Sequence, residues 1–279
     1  MSAVHLQRVS VRMLYDPAFV REVYERPEAA LAAIDLTAEE RECLLATDRR
    51  VWNADAMRRK RSLKALLDEF KVSSAIAVAK TRRLATLDAF FSSPIFHHCI
   101  QHRGSMALAF ADYLAALPLD EPRLVAIARL ERALAKARRG RKPKKSAGTF
   151  REDSLYQLSP HAEPVLLPER TLEVMNAVEQ VLFEISLAPI AALADDGPDL
   201  SALPELGEVD AVALIAERTE GDNAGLGEAT GGVVALLEAA RQPVTGAQLI
   251  QAVCALGADR ADARGIIQPL LDDRLLVSR

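Results

Sequence analysis

Four residues in one short run, His97, His98, Cys99 and His102, carry side chains that bind metals or move protons. His98 and His102 are four apart, so a helix sets both on one face. A zinc or iron site needs at least one further ligand, a carboxylate or another histidine from elsewhere in the chain. No His-Glu-x-x-His segment occurs, and His5 and His161 are isolated in sequence. A metalloenzyme built on His98 and His102 is therefore the less favoured reading. The favoured ones are a helix face that offers His97, His98, His102 and Arg103 to a partner protein, or a partly buried polar cluster. Other chemical signatures are missing as well. Gly225 and Gly227 lie in an expected loop without the Lys-Ser/Thr of a phosphate-binding loop, and there is no Gly-x-Ser-x-Gly elbow. The expectation is a binding protein with no catalytic residue, metal or cofactor of its own.

The helix that would carry the histidines starts at Ser93-Pro94 and continues through Phe96, Cys99, Ile100, Phe110 and Leu117. Ahead of it, Asp16-Pro17 opens a helix with the acid as cap and proline in the first turn. Thr37-Ala38-Glu39-Glu40 is a capping box. A basic patch, Arg58-Arg59-Lys60-Arg61, precedes the buried face Leu63, Leu66, Leu67 and Phe70, and Val72 to Phe91 reads as continuing helix. Pro122 to Arg139 closes this half, so residues 1–139 read as an all-α bundle of about six helices.

Lys136 to Lys145 (KARRGRKPKK) holds seven positive charges with glycine and proline and no apolar period. This predicts a solvated linker over 140–149, the alternative being a patch for phosphate or an acidic partner. Residues 150–279 form the second expected domain. Leu155 to Leu158 and Glu163 to Leu167 are short strand-like runs, Thr171 to Leu187 has helical spacing, and Asp195 to Gly207 is a loop. Val209 to Ala216 reads as a strand. Thr230 caps a helix; Thr245-Gly246-Ala247-Gln248 is a capping box for a second, which ends at Gly257. Ile266, Ile267, Leu270 and Leu271 form a third helix in which Pro269 should introduce a kink. Leu275 to Val277 closes as a strand. The expected fold class is α+β, mostly α: a helical bundle followed by a winged helix-turn-helix.

Composition narrows the function. A 279-residue chain that is half apolar can bury two cores, and a net charge of −4 does not describe a globally basic nucleic-acid binder. Three cysteines far apart in sequence fit a reducing cytoplasm, and no segment reads as a signal peptide or a membrane span. In the third helix, Arg260 and Arg264 face Asp259, Asp262, Asp272 and Asp273, a poor surface for a phosphate backbone. A winged-helix transcription regulator that grips DNA through its basic linker is the alternative. The favoured ligand is an extended peptide, added as a strand to the sheet that contains Val209 to Ala216. Val212, Leu214 and Ala216 on the strand, with Arg264, Ile267 and Leu271 on the helix, are the expected contacts.

The order of strands, Thr-capped helix, capping-box helix, third helix and Leu-Leu wing resembles the PqqD-like recognition element of ribosomally made, modified peptides (RiPPs). FSSPIFHHCIQHRGSMALAFADYL, from Phe91 to Leu114, and YQLSPHAEPVLLP, from Tyr156 to Pro168, are similar to partner subunits of multinuclear non-haem iron oxidative enzymes. The length and order look closest to the thiaglutamate-pathway type, then to the methanobactin type. The resemblance implies an accessory subunit in a heterodimer with an iron-dependent oxidative enzyme. That enzyme holds the iron and does the chemistry; this chain holds a precursor or carrier peptide whose cysteine-containing end is modified.

Overall fold

The computed structural model describes residues 4–55, 57–142, 148–187, 200–219, 221 and 223–278. The fold is α+β and mostly helical, with two small antiparallel three-stranded sheets. The chain divides into two compact units, Met1–Leu124 with Val178–Ser201, and Val125–Ala177 with Ala202–Arg279.

The first unit begins with a helix that sequence reading did not mark, α1 (Val4–Tyr15), followed by α2 (Pro17–Glu25), α3 (Pro27–Ala30) and α4 (Ala38–Ala46). Asp16 caps α2, accepting from the amides of Ala18 and Phe19, and the Thr37–Glu40 capping box opens α4. Val9, Met13, Phe19, Val20, Val23, Leu31 and Leu44 close one core, with Trp52 at its edge. Then come α5 (Arg58–Glu69), α6 (Lys71–Thr81), α7 (Ala85–Asp88), α8 (Pro94–Gln101) and α9 (Met106–Ala115). The continuous helix expected from Val72 to Phe91 is corrected here: Arg82 takes a left-handed φ of 54° and ends α6. Of the basic patch, Arg59 is bound to the Asp88 carboxylate, while Arg58 and Arg61 reach Asp55.

The second unit holds α10 (Pro122–Arg139) from Val125 onward, β1 (Leu155–Leu158), β2 (Ala162–Pro168) and the start of α11 (Thr171–Leu187). It continues with β3 (Asp210–Arg218), β4 (Ala224–Glu228), α12 (Gly231–Ala239), β5 (Val244–Thr245), α13 (Gly246–Ala255), α14 (Ala263–Asp272) and β6 (Leu276–Ser278). The strands form two sheets, β5-β1-β6 and β2-β3-β4. Thr230 caps α12, the Thr245–Gln248 box opens α13, and Gly257 follows α13 with φ +95°, a conformation glycine takes without strain.

Two expectations change in this unit. The boundary moves from 140–149 to within α10, because Leu130, Ala133 and Ala137 on that helix pack against Leu214 and Ala216 of β3. Lys136, at the start of the basic run, lies in α10 as the expected Pro122–Arg139 helix has it, and pairs with Glu163 at 2.7 Å. Lys144 and Lys145, like residues 195–199 of the expected loop, lie outside the described residues. Finally, Gly225 and Gly227 stand in strand β4 rather than in a loop. Helix α14 runs on through Pro269, and both Pro269 and Gly265, whose carbonyl loses its donor, are exposed so that water can replace the bond.

Candidate functional site

Residues of β3 alternate between two cores. Leu214 and Ala216, with Val212 half-buried beside them, face α10; Ile215 faces the cluster of Leu236, Leu237, Ile250, Val253, Ile267 and Leu271 from α12, α13 and α14. Ile267, Leu271 and Ala216 are fully buried and Leu214 is 2% exposed. Their expected place in a peptide groove is therefore corrected to core. The period of two that makes a strand sends Leu214 and Ile215 to opposite faces, so β3 and α14 do not bring the six expected contacts together. Arg264 is the exception in exposure: its guanidinium is on the surface, 2.8 Å from Glu152, with Arg260 3.4 Å from the same carboxylate.

Strand β3 is also the middle of its sheet, so an added strand must use β2 or β4. The Arg218 amide donates to the His161 carbonyl, and every second residue from there, at 163, 165 and 167, faces β3. Ala162, Pro164 and Leu166 then point their backbone groups outward. The Ala162 amide is used by the Ser159 carbonyl, Pro164 has no N–H, and Arg129 donates to the Leu166 carbonyl. This edge is closed in the way natural sheets protect their edges. The cavity beside it, about 470 Å3, is crossed by ion pairs: Arg129 with Asp210, and Arg241 with Glu163 and Glu238.

The opposite edge differs. The Thr219 amide donates to the Asn223 carbonyl and the Ala229 amide to the Ala213 carbonyl. Alternation between them turns the amides and carbonyls of Ala224, Leu226 and Glu228 away from β3. Among the described residues no strand pairs with them. The Leu226 and Ala224 side chains lie against Ala133, Leu134, Ala137 and Val165 on the α10 face. On the other face Gly225 and Gly227 carry no side chain beside Glu217 and Ile215. Burial raises the Glu217 pKa, with Lys142 opposing and Asp273, directly after α14, adding to the rise. The open edge is thus flanked by α10 on one face and carries no side chain at Gly225 and Gly227 on the other.

In the first unit the expected partner face splits. His97 turns inward, its Nε2 3.5 Å from Asp16 Oδ2, with 13% of its side chain exposed. His98 and His102 are exposed, their rings 4.0 Å apart, and His102 Nδ1 lies 2.9 Å from the His98 carbonyl. They line a shallow cavity of about 530 Å3 with Cys99, Leu108 and Asp112. Burial, then Asp112, pushes the Cys99 thiol up, which keeps it protonated and unreactive. Arg103 is exposed and left-handed, with φ 52°. Among the described residues no three His, Cys, Asp or Glu side chains converge as metal ligands. Sequence reasoning missed Asp16 as more than a cap, and it missed the buried Ser159–His161 pair, although Leu-Ser-Pro-His was in view. No protein-family model matches the sequence, and no curated protein matches it.

Proposed function

We propose that this chain is a peptide-binding accessory subunit that holds an extended precursor peptide along the outer edge of β4. The peptide's cysteine-containing end would be presented to an iron-dependent oxidative enzyme with which the chain forms a heterodimer. The observation that carries the binding half is the row of outward backbone groups at Ala224, Leu226 and Glu228, the edge left open while β2 is closed. Main-chain bonds to such an edge supply affinity without a charged groove, and holding the peptide raises the effective concentration of its reactive end. The partner enzyme and its iron rest on the resemblance of residues 91–114 and 156–168 to known partner subunits. The winged-helix reading of the second unit is supported by α12, α13 and α14 packed with β5-β1-β6, the last strand following the third helix. Arg260 and Arg264 both spend their charge on Glu152, which favours a peptide over duplex DNA as the ligand.

The test selects a tight binder from a library of synthetic extended peptides ending in cysteine and titrates it into wild type, Glu228→Pro and Glu228→Ala. Proline removes the outward amide of Glu228 while the Leu214–Glu228 register keeps its inward neighbours paired. Glu228→Pro should weaken binding about tenfold, one lost hydrogen bond's worth with its geometry, and Glu228→Ala should not. Equal affinities in a folded Glu228→Pro protein would remove β4 from the site.

A further inference from the structure

Helix α1 carries His5, Arg8 and Arg12 at spacings of three and four, so all three project from one side of it. Helix α8 answers with His97 and Gln101, also four apart, and His102 follows at its C-terminus. Between them, closed by the Ala33–Asp35 turn, lies a cavity of about 280 Å3 lined by these residues. Two arginines and three histidines face one lining carboxylate, Asp35. A water molecule's share of liquid is about 30 Å3, so the space admits a carboxylate or phosphate head with room for solvent.

The donors here are unusual in being unspent. Arg8 Nε, Arg12 Nε and His97 Nε2 are shielded from solvent and have no hydrogen-bond partner among the described residues. Buried donors of this kind are costly unless something accepts from them. Asp16 does not meet the need. Its Oδ2 is 4.0 Å from Arg12 Nε and 3.5 Å from His97 Nε2, beyond good hydrogen-bond length, while its other oxygen accepts from Ala18, Phe19 and Ser92. Arg12 is held in place by the Phe19 ring, 3.5 Å from its guanidinium carbon, which fixes one face and leaves its edge to a ligand.

We infer that this cleft between α1 and α8 is an oxyanion-binding site that takes a carboxylate or phosphate group, with Arg8, Arg12 and His97 as donors. It is independent of the peptide edge on β4. Charge-assisted bonds from two guanidiniums are the strongest recognition available for such a group.

The test is an NMR titration of the 15N-labelled full chain at fixed pH with inorganic phosphate, with N-acetylglycine, and with N-acetylglycinamide. Saturable shifts of the His97 ring and of the Arg8 and Arg12 Nε–H signals are expected with phosphate, with N-acetylglycine, or with both, and not with the amide. Phosphate alone would identify a phosphate head, and N-acetylglycine alone a chain-terminal carboxylate. Arg8→Gln, at a residue whose Nε has no hydrogen-bond partner among the described residues, should weaken binding at least about tenfold, while the exposed control Arg21→Gln leaves it unchanged. Shifts that do not saturate, a response to the amide equal to that of the acid, or unaltered affinity in Arg8→Gln would each overturn the site. Should circular dichroism show Arg8→Gln unfolded, the wild-type titration with the three probes decides alone.

Discussion

Ser159 Oγ and His161 Nδ1 lie 2.7 Å apart inside the second unit, and neither residue has any exposed surface. Among the described residues His161 Nε2 has no partner, so the lower-cost tautomer places the proton on Nδ1, donating to Ser159, and leaves Nε2 as an unprotonated acceptor.

Burial, then the positive charges of Lys142 and Arg274, pushes the His161 pKa down from its ordinary 6.5 to about 4. Unfolded chain therefore takes up a proton below pH 6.5 that the folded chain refuses, and stability is lost as pH falls from there toward 4. The full loss is on the order of 3 kcal/mol at about 1.4 kcal/mol per pH unit. An NMR titration of the ring should show no protonation above about pH 5. A His161 ring that titrates near its ordinary value in the folded protein would contradict the assignment.

Asp16 ties three elements of the first unit together, capping α2, accepting from Ser92 and facing His97 while only 3% exposed. Its burial alone would raise its pKa, but His97, the Phe19 amide and Ser92 outweigh that and hold it below 3.8. Its contribution is present above that ordinary value and lost as pH falls through the lower folded one. Asp16→Ala should cost about 2–4 kcal/mol in urea unfolding, a lost cap together with the loss of the carboxylate charge beside His97 and Arg12. A cost below about 1 kcal/mol would mean the cap acts alone.

Gly140, just past α10, leaves no room for a side chain: a Cβ there would sit 1.7 Å from the Pro160 carbonyl oxygen and 2.6 Å from His161 Cα. These are backbone atoms, so a rotamer change cannot relieve the contact. Gly140→Ala should lower stability by about 3 kcal/mol or more, whereas Gly231→Ala, with open space around it, should change it by under about 1 kcal/mol. Comparable melting temperatures for the two variants would show that the end of α10 does not pack on the Ser159–His161 turn.

What could be read in the sequence was local. The boxes at Thr37–Glu40 and Thr245–Gln248, the Asp16-Pro17 start and the α11 span are fixed by residues within one turn of each other, and all form as expected. Strand β4 was not legible, because Ala-Gly-Leu-Gly-Glu lacks the β-branched residues that mark strands and is held by its pairing with β3. The domain boundary hid inside α10, a helix with no break in its pattern. The groove residues failed for a different reason: Leu214 and Ile267 are apolar in sequence whether they line a ligand or a core, and only tertiary packing tells the two apart. The facing of Arg8 and Arg12 toward His97 likewise depends on how α1 meets α8.

The central claim, that a peptide joins the β4 edge, is tested most directly by amide hydrogen exchange with and without the precursor peptide. The account predicts new protection at Ala224, Leu226 and Glu228, the outward amides, with Gly225 and Gly227, already bonded to β3, changed little. Protection that appears on α14 around Arg264, or nowhere in the second unit, while these three amides exchange as before, would contradict it.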